Sequence, residues 1–170
     1  RLALPALFPE VPLPHGFRLL SLEERNDLSG LARVLYRGGN RGDEPPDDGI
    51  TQCAVIQSAP GFRSALNIVV EAPDGSLASY CSVLYEPAHA LADVRFVCVD
   101  PDYAGLGLDR AVVLEAIRRC GEQGARAAYA ASAQEPFSFL GFQKLYRLSK
   151  WERNWMARPA VERADSPSNT

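Results

Sequence analysis

Val97-Cys98-Val99-Asp100-Pro101-Asp102-Tyr103-Ala104-Gly105-Leu106-Gly107-Leu108-Asp109-Arg110-Ala111-Val112-Val113-Leu114 runs from an apolar segment into a helical one through two glycines. The β-branched run from Arg95 to Val99 predicts a buried strand, and Asp100-Pro101-Asp102 stops it. From about Leu108 to Cys120 the pattern is helical. Val113, Ala116, Ile117 and Cys120 fall at the spacing of one helix face, and Arg110, Glu115, Arg118 and Arg119 take the other. A strand, a glycine loop and a helix start make a ready anion site. The first-turn N–H groups lack partners, the macrodipole adds partial positive charge, and glycine lets a phosphate come close to the backbone. The same stretch also reads as a tight strand-to-helix turn with no ligand.

The 170 residues suit one domain with a sizeable core. The net charge of −3 is small and no basic patch is interleaved with aromatics, so nucleic acid is not expected as a partner. Cys53, Cys81, Cys98 and Cys120 are scattered without a Cys-x-x-Cys pair, and there are only 2 histidines, so no metal site is expected. Cys98 and Cys120 fall on apolar faces and read as buried reduced thiols, in keeping with a cytoplasmic protein. No apolar run reaches the roughly 18 residues of a membrane span. No signal peptide is visible.

Along the chain, residues 1–14 are proline-rich and read as an arm or a linker, residues 15–155 as a single domain, and residues 156–170 as a disordered tail. Phe17 to Leu20 alternates like a short strand. Ser21 followed by Glu24 is a capping-box pattern that predicts a helix running toward Arg37, with Leu28, Leu31, Val34 and Leu35 on one face and Gly38-Gly39 at its end. Asn40 to Gly49 reads as a loop and Ile50 to Ser58 as a short helix. Leu66 to Glu71 and Leu77 to Tyr85 pair as a hairpin across Pro73-Asp74-Gly75. Ala90 to Val99 is the next strand. Ala125 to Ala131 is a strand parallel to it, because a helix lies between them. Glu135 to Leu140 reads as a short helix and Gly141 to Trp151 as a last strand. Trp151 and Trp155 pack on the domain or on a partner, which leaves a homodimer open. The sum is a mixed α/β layout around one central sheet.

Over roughly Pro14 to Glu152 the chain resembles the GNAT acyl-CoA N-acyltransferases. The resemblance rests on Val99-x-Pro101-x-Tyr103 before a Gly-x-Gly-Leu loop and long helix, on Phe137-x-x-Leu140-Gly141-Phe142, and on the order of the strands. It implies acetyl-CoA as co-substrate, lying where the strand ending at Val99 and the strand near Ala128-Tyr129-Ala130 splay apart. The pantetheine arm would run along the backbone of Val97, Cys98 and Val99. The diphosphate would rest on amides from Gly105 through Leu106, Gly107, Leu108 and Asp109 to Arg110, with Ala104 at the loop's first motif position. An amine, from a small molecule or a peptide, would attack the thioester directly in a ternary complex.

Three features depart from the family pattern: the loop at Ala104 and Asp109, Phe137, and Arg95. Ala104 stands where the family carries a cation, and Asp109 where it carries a small residue. Phe137 replaces a tyrosine that protonates the leaving thiolate, and reads as a core aromatic. Arg95 stands where related strands place a carboxylate, and pairs with Asp93 or Glu86 or binds an acidic substrate group. Glu86 and His89, at the turn before the central strand, are the candidates for removing the proton, or form an exposed turn. Tyr80 and Tyr85 are candidates for lining the acceptor cleft, although strand alternation puts only one of them on a given face. Cys98, with no histidine or cation beside it, reads as inert core. The functional readings are therefore an N-acetyltransferase, a GNAT-fold domain with a structural or regulatory role and no catalysis, and a different acyl-CoA reaction such as decarboxylation or longer-acyl transfer.

Overall fold

The computed structural model describes residues 1–4, 12–46, 49–130, 137 and 140–145. Strands β1 (Leu2–Ala3), β2 (Arg18–Ser21), β3 (Ile68–Glu71), β4 (Leu77–Glu86), β5 (Leu91–Val99) and β6 (Ala127–Ala130) form one sheet in the order β1-β6-β5-β4-β3-β2. Strands β2 through β5 pair antiparallel. The β5–β6 pair is parallel, as the sequence predicts. A parallel pair needs a crossover, and helix α3 (Leu108–Glu122) supplies it. The mixed α/β layout around one central sheet is thus observed.

The sheet is covered on both faces. Helix α3 buries Leu108, Ala111, Val112, Val113, Ala116, Ile117 and Cys120 against Ile68, Val70, Cys81, Val83, Ala92 and Val94. These include all four residues of the helix face expected from the spacing. On the other face α1 (Leu28–Gly39) lays Leu31, Ala32 and Val34 on Val69, Leu77, Tyr80 and Cys98. Helix α2 (Gly49–Gln57) packs beside α1 and buries only Cys53. Its Ile50, Val55 and Ile56 stay exposed.

The β3–β4 hairpin forms where expected. The Gly75 amide donates to Ala72 O at 2.9 Å, with Gly75 at φ +85°, and Asp74 Oδ1 accepts from the Ser76 amide at 2.9 Å. Such a turn needs a residue at ease with positive φ.

Ser21 and Glu24 do not start a helix. Their reciprocal bonds form, with Glu24 Oε2 accepting from the Ser21 amide at 2.7 Å and Ser21 Oγ from the Glu24 amide at 3.3 Å. They close a single turn at the end of β2, because the Leu22 amide is already committed to Asn67 O in the sheet at 2.9 Å. The helix starts six residues after Ser21 at a different cap, where Asp27 Oδ1 accepts from the Gly30 amide at 2.9 Å.

At the chain's beginning, β1 adds antiparallel to β6, with Leu2 opposite Ala128, so this part of the expected arm is a strand. Residues 141–145 are not in a strand. Most of the short helix expected from Glu135 to Leu140, the rest of the last strand, both tryptophans and the tail lie outside the described residues.

Ile117 is fully buried in the α3 layer. Ile117→Ala is expected to lower stability by about 2–5 kcal/mol, read by urea unfolding. Removing the α1 cap with Asp27→Ala should cost about 1 kcal/mol in the same experiment.

Candidate functional site

The site is organised by where β5 has neighbours and where it does not. Leu91 to Val94 pair with Ala127 to Ala130 of β6. From Arg95 to Val99, β5 keeps β4 on one side and has no strand on the other among the described residues. Val97, Cys98 and Val99 lie along this edge of the sheet. The bulge opposite Ser82/Val83 places Arg95 as an extra residue in β5. Val94 and Val97 consequently face the α3 side, while Phe96 and Cys98 face the α1 side.

Ala104, Gly105, Leu106 and Gly107 form an exposed loop between the turn Pro101–Tyr103 and α3. Gly105 lies at φ +79° and Gly107 at φ +72°, and among the described residues nothing comes within 4 Å of where a Cβ would sit on either. The glycines are required by backbone shape, not by crowding, and the space above them is open. Gly107 is the N-cap of α3 and no side chain among the described residues caps it. The amides of Leu108, Asp109 and Arg110 thus begin a fifteen-residue helix behind a shaped glycine loop. Asp109 is half-buried in the first turn. There it favours the helix by about 0.3–1 kcal/mol through the macrodipole and opposes a second anion at the same place.

The entry to the loop is held by a buried charge cluster that the sequence reading did not single out. Asp100 has no exposed surface, and Arg37 of α1 is 7% exposed. Arg37 Nε donates to Asp100 Oδ2 at 2.7 Å and Nη2 to Asp100 Oδ1 at 3.1 Å, a two-pronged pair. Nη2 also donates to Asp102 Oδ2 at 2.7 Å, and Nη1 to Gly42 O at 2.6 Å and Glu44 Oε1 at 2.8 Å. Arg33 Nη1 reaches Asp100 Oδ2 at 3.2 Å. Burial alone would raise the Asp100 pKa. Hydrogen bonds from Arg37 and the Asp102 amide, with the charges of Arg37 and Arg33, outweigh it and hold the carboxyl below its ordinary value. One sequence signal was present: Arg37 follows Val34 at helical spacing on the stripe that carries Leu31.

The other expected residues are placed as follows. Glu86 and His89 lie on either side of the turn Pro87–His89, with His89 Nδ1 3.0 Å from Glu86 Oε1, and both are exposed. Glu86 is opposite Leu91, at the far end of β5 from the glycine loop, roughly 25 Å away by strand rise. The two are brought to each other and not to the loop. Asp93 is nearer this edge, one residue before the last β5 residue paired with β6, and its Oδ2 accepts from Arg95 Nη1 at 2.8 Å. Arg95 therefore pairs with Asp93, one of its two expected partners.

Phe137 is 6% exposed and meets Phe142 edge-on at 5.2 Å, within the core on the α3 side. Tyr80 and Tyr85 are both buried, on opposite faces. Tyr80 donates to Asn67 Oδ1 at 2.8 Å and Tyr85 to Gln123 O at 2.8 Å, so neither lines an open surface. All four cysteines are free and buried. Burial, with the Asp100 charge, pushes the Cys98 thiol up to about 12, which suits inert core. No His, Cys, Asp and Glu grouping among the described residues could hold a metal. No helix among them is long and apolar enough to cross a membrane.

No protein-family profile and no curated protein matches the chain. Solved structures do. A GCN5-related N-acetyltransferase from Sphaerobacter thermophilus is 22% identical, with a TM-score of 0.56 over 68% of this chain, which spans only 36% of that protein. An acetyltransferase from Trypanosoma brucei is 21% identical, with a TM-score of 0.59 over 80% of this chain and 99% of that one. A GNAT family acetyltransferase from Brucella melitensis, solved in complex with acetyl-CoA, is 15% identical, with a TM-score of 0.61 over 77% of this chain and 85% of that one. The six-stranded mixed sheet with its helices matches the architecture of these structures. The chain has the GNAT acetyltransferase fold.

Because Asp100 has a lowered pKa in the folded state, its ionised form stabilises the fold above the ordinary carboxylate range near pH 4. That contribution is lost as pH falls through the folded-state value. Asp100→Asn is expected to lose less stability than the wild type between pH 5 and pH 3, measured by urea unfolding at each pH. Equal losses would remove Asp100 from the acid response.

Proposed function

We propose that the chain is an N-acetyltransferase, moving an acetyl group from acetyl-CoA to an amine in a ternary complex. The observation that carries this is the edge of β5 from Arg95 to Val99, without a strand beside it among the described residues, leading to a glycine loop and a helix start. When bound, acetyl-CoA supplies an activated acyl carbon on its thioester. Strand alternation turns the backbone groups of Val97 and Val99 to this edge, where they would pair with the pantetheine amides, while Cys98 between them is bonded to β4, its carbonyl accepting from Ser79 Oγ at 2.8 Å. The amides from Gly105 to Arg110 face the diphosphate, with Ala104 leading into them. The open space above Gly105 and Gly107 fits such a group.

The acceptor amine must lose a proton before it attacks. The Glu86–His89 pair accepts it, relayed through water from the cleft, and Asp93 is the carboxylate nearest the divergence. Phe137 has no proton to return to the thiolate, so that proton comes from solvent. The buried free thiols accord with a reducing compartment such as the cytoplasm.

Asp109 supports a second reading, a GNAT-fold domain that keeps the fold for a structural or regulatory role without transfer. Opposed unit charges about 4 Å apart repel by roughly 1–4 kcal/mol, depending on screening. With no cation at Ala104, that cost falls on the backbone amides.

Calorimetric titration with acetyl-CoA separates the two. Micromolar binding by the wild type supports the transferase. Asp109→Gly should then tighten binding about tenfold or more, the equivalent of the charge removed. Binding by neither protein overturns the transferase reading, and binding by Asp109→Gly alone supports a cleft silenced at that residue. In an active enzyme, His89→Ala should lower kcat, while Asp93→Asn tests the nearer carboxylate in the same assay.

A further inference from the structure

We propose that Arg37 is a positioning residue that sets the shape and charge of the glycine loop from outside it; this rests on the reading that the loop holds the diphosphate of CoA.

The loop cannot hold itself. Its four residues are exposed, and its two glycines touch nothing at their Cβ positions among the described residues. Its form must be imposed where it begins and ends. It ends at Leu108, the fully buried first residue of α3. It begins at the turn Pro101–Tyr103, which is tied on two sides. Tyr103 reaches Ser76 Oγ at 2.6 Å and donates to Asp74 Oδ2 at 3.1 Å in the β3–β4 turn. Asp100 and Asp102 are tied to Arg37. With its carboxylate so fixed, Asp100 orders the turn: Oδ1 accepts the Asp102 amide at 3.1 Å and its carbonyl the Tyr103 amide at 2.9 Å. Pro101 O then accepts the Ala104 amide at 3.1 Å.

Arg37 reaches this place because α1 comes unusually close to β5. A Cβ on Gly38 would lie 2.8 Å from Cys98 Cβ and 3.1 Å from Val99 O. Only glycine allows that approach, and it brings the neighbouring guanidinium against the end of β5.

Arg37 also acts through charge. Asp100 and Asp102 stand just before a loop meant for an anion. Arg37 engages both carboxylates from the side of α1 and, with Arg33 on Asp100, offsets part of their charge without occupying the loop. A lysine at this position has the charge but not the planar fork that engages two carboxylates at once.

The test uses Arg37→Met, Arg37→Lys and Asp102→Asn in the full chain, with folding checked by thermal unfolding. The first readout needs no ligand: hydrogen exchange at the Asp102, Tyr103 and Ala104 amides. Arg37→Met should exchange there about tenfold faster or more, with the core amides of α3 unchanged, and Asp102→Asn should show a smaller rise at the same amides. Arg37→Lys should fall between the wild type and Arg37→Met. The second readout compares acetyl-CoA with acetyl-pantetheine, which lacks the diphosphate. Arg37→Met should weaken acetyl-CoA about tenfold and leave acetyl-pantetheine unchanged, whereas a purely structural role moves both alike. Unchanged exchange at the three amides, or equal losses for the two thioesters, overturns the proposal. If Arg37→Met does not fold, Asp102→Asn, altered at an exposed side chain, decides by the same two criteria. Failure of the wild type to bind acetyl-CoA would overturn the transferase reading, and exchange would still decide whether Arg37 sets the turn.

Discussion

Asp100 is a carboxylate with no exposed surface, sitting where β5 gives way to a loop. A charge in that position is tolerated only when countercharge and hydrogen bonds replace its hydration. Arg37 supplies both, and once it does, three pieces of the fold lose their independence. The end of β5, the first turn beyond it and the last turn of α1 share one charged contact. Removing Arg37 would leave Asp100 buried with only Arg33 at 3.2 Å, and removing Asp100 would leave the Arg37 guanidinium only the exposed carboxylates Asp102 and Glu44 as countercharge, so the two residues are coupled more tightly than their net contribution to stability suggests. The close approach at Gly38 is the steric half of the same arrangement.

The middle of the chain was legible because its signals are local and agree. In β5, the loop and α3, strand residues, stop signal, glycines and helical spacing lie in sequence order and do not compete. The parallel β6 followed from the helix before it. The start of α1 was misplaced because two capping patterns lie six residues apart, Ser21 and Asp27. Which one starts the helix depends on the Leu22 amide bonding Asn67, more than forty residues away. Arg37 escaped for a related reason. Its meaning lies in a partner 63 residues on, and no local pattern distinguishes it from an ordinary basic residue at a helix end. At the candidate site, backbone features were readable and side-chain pairings were not. The divergence of β5 and β6 is a matter of topology. Whether Arg95 takes Asp93 or Glu86 is a matter of where a bulge falls.

The chemistry of the site has a common theme. Ala104 and Phe137 have no side chain that can grip an anion or donate a proton, and Asp109 brings a negative charge. What remains is main chain, with amides at a helix start and along a strand edge without a neighbour among the described residues. Main-chain donors are placed by the fold and do not depend on side-chain identity, so their quality depends on how firmly the fold holds them. That shifts the chemical weight from the residues of the site to those that brace it.

The bulge at Arg95 divides β5 into two halves that answer to different partners. The half from Leu91 to Val94 is aligned by β6, and the half from Phe96 to Val99 by the approach of α1 and the loop beyond. In an unbroken strand, gaining or losing one residue would turn every side chain past that point to the opposite face. The extra residue here already sits at the seam, on an exposed position. The two halves can therefore drift apart over evolutionary time without either change scrambling the core beneath the other.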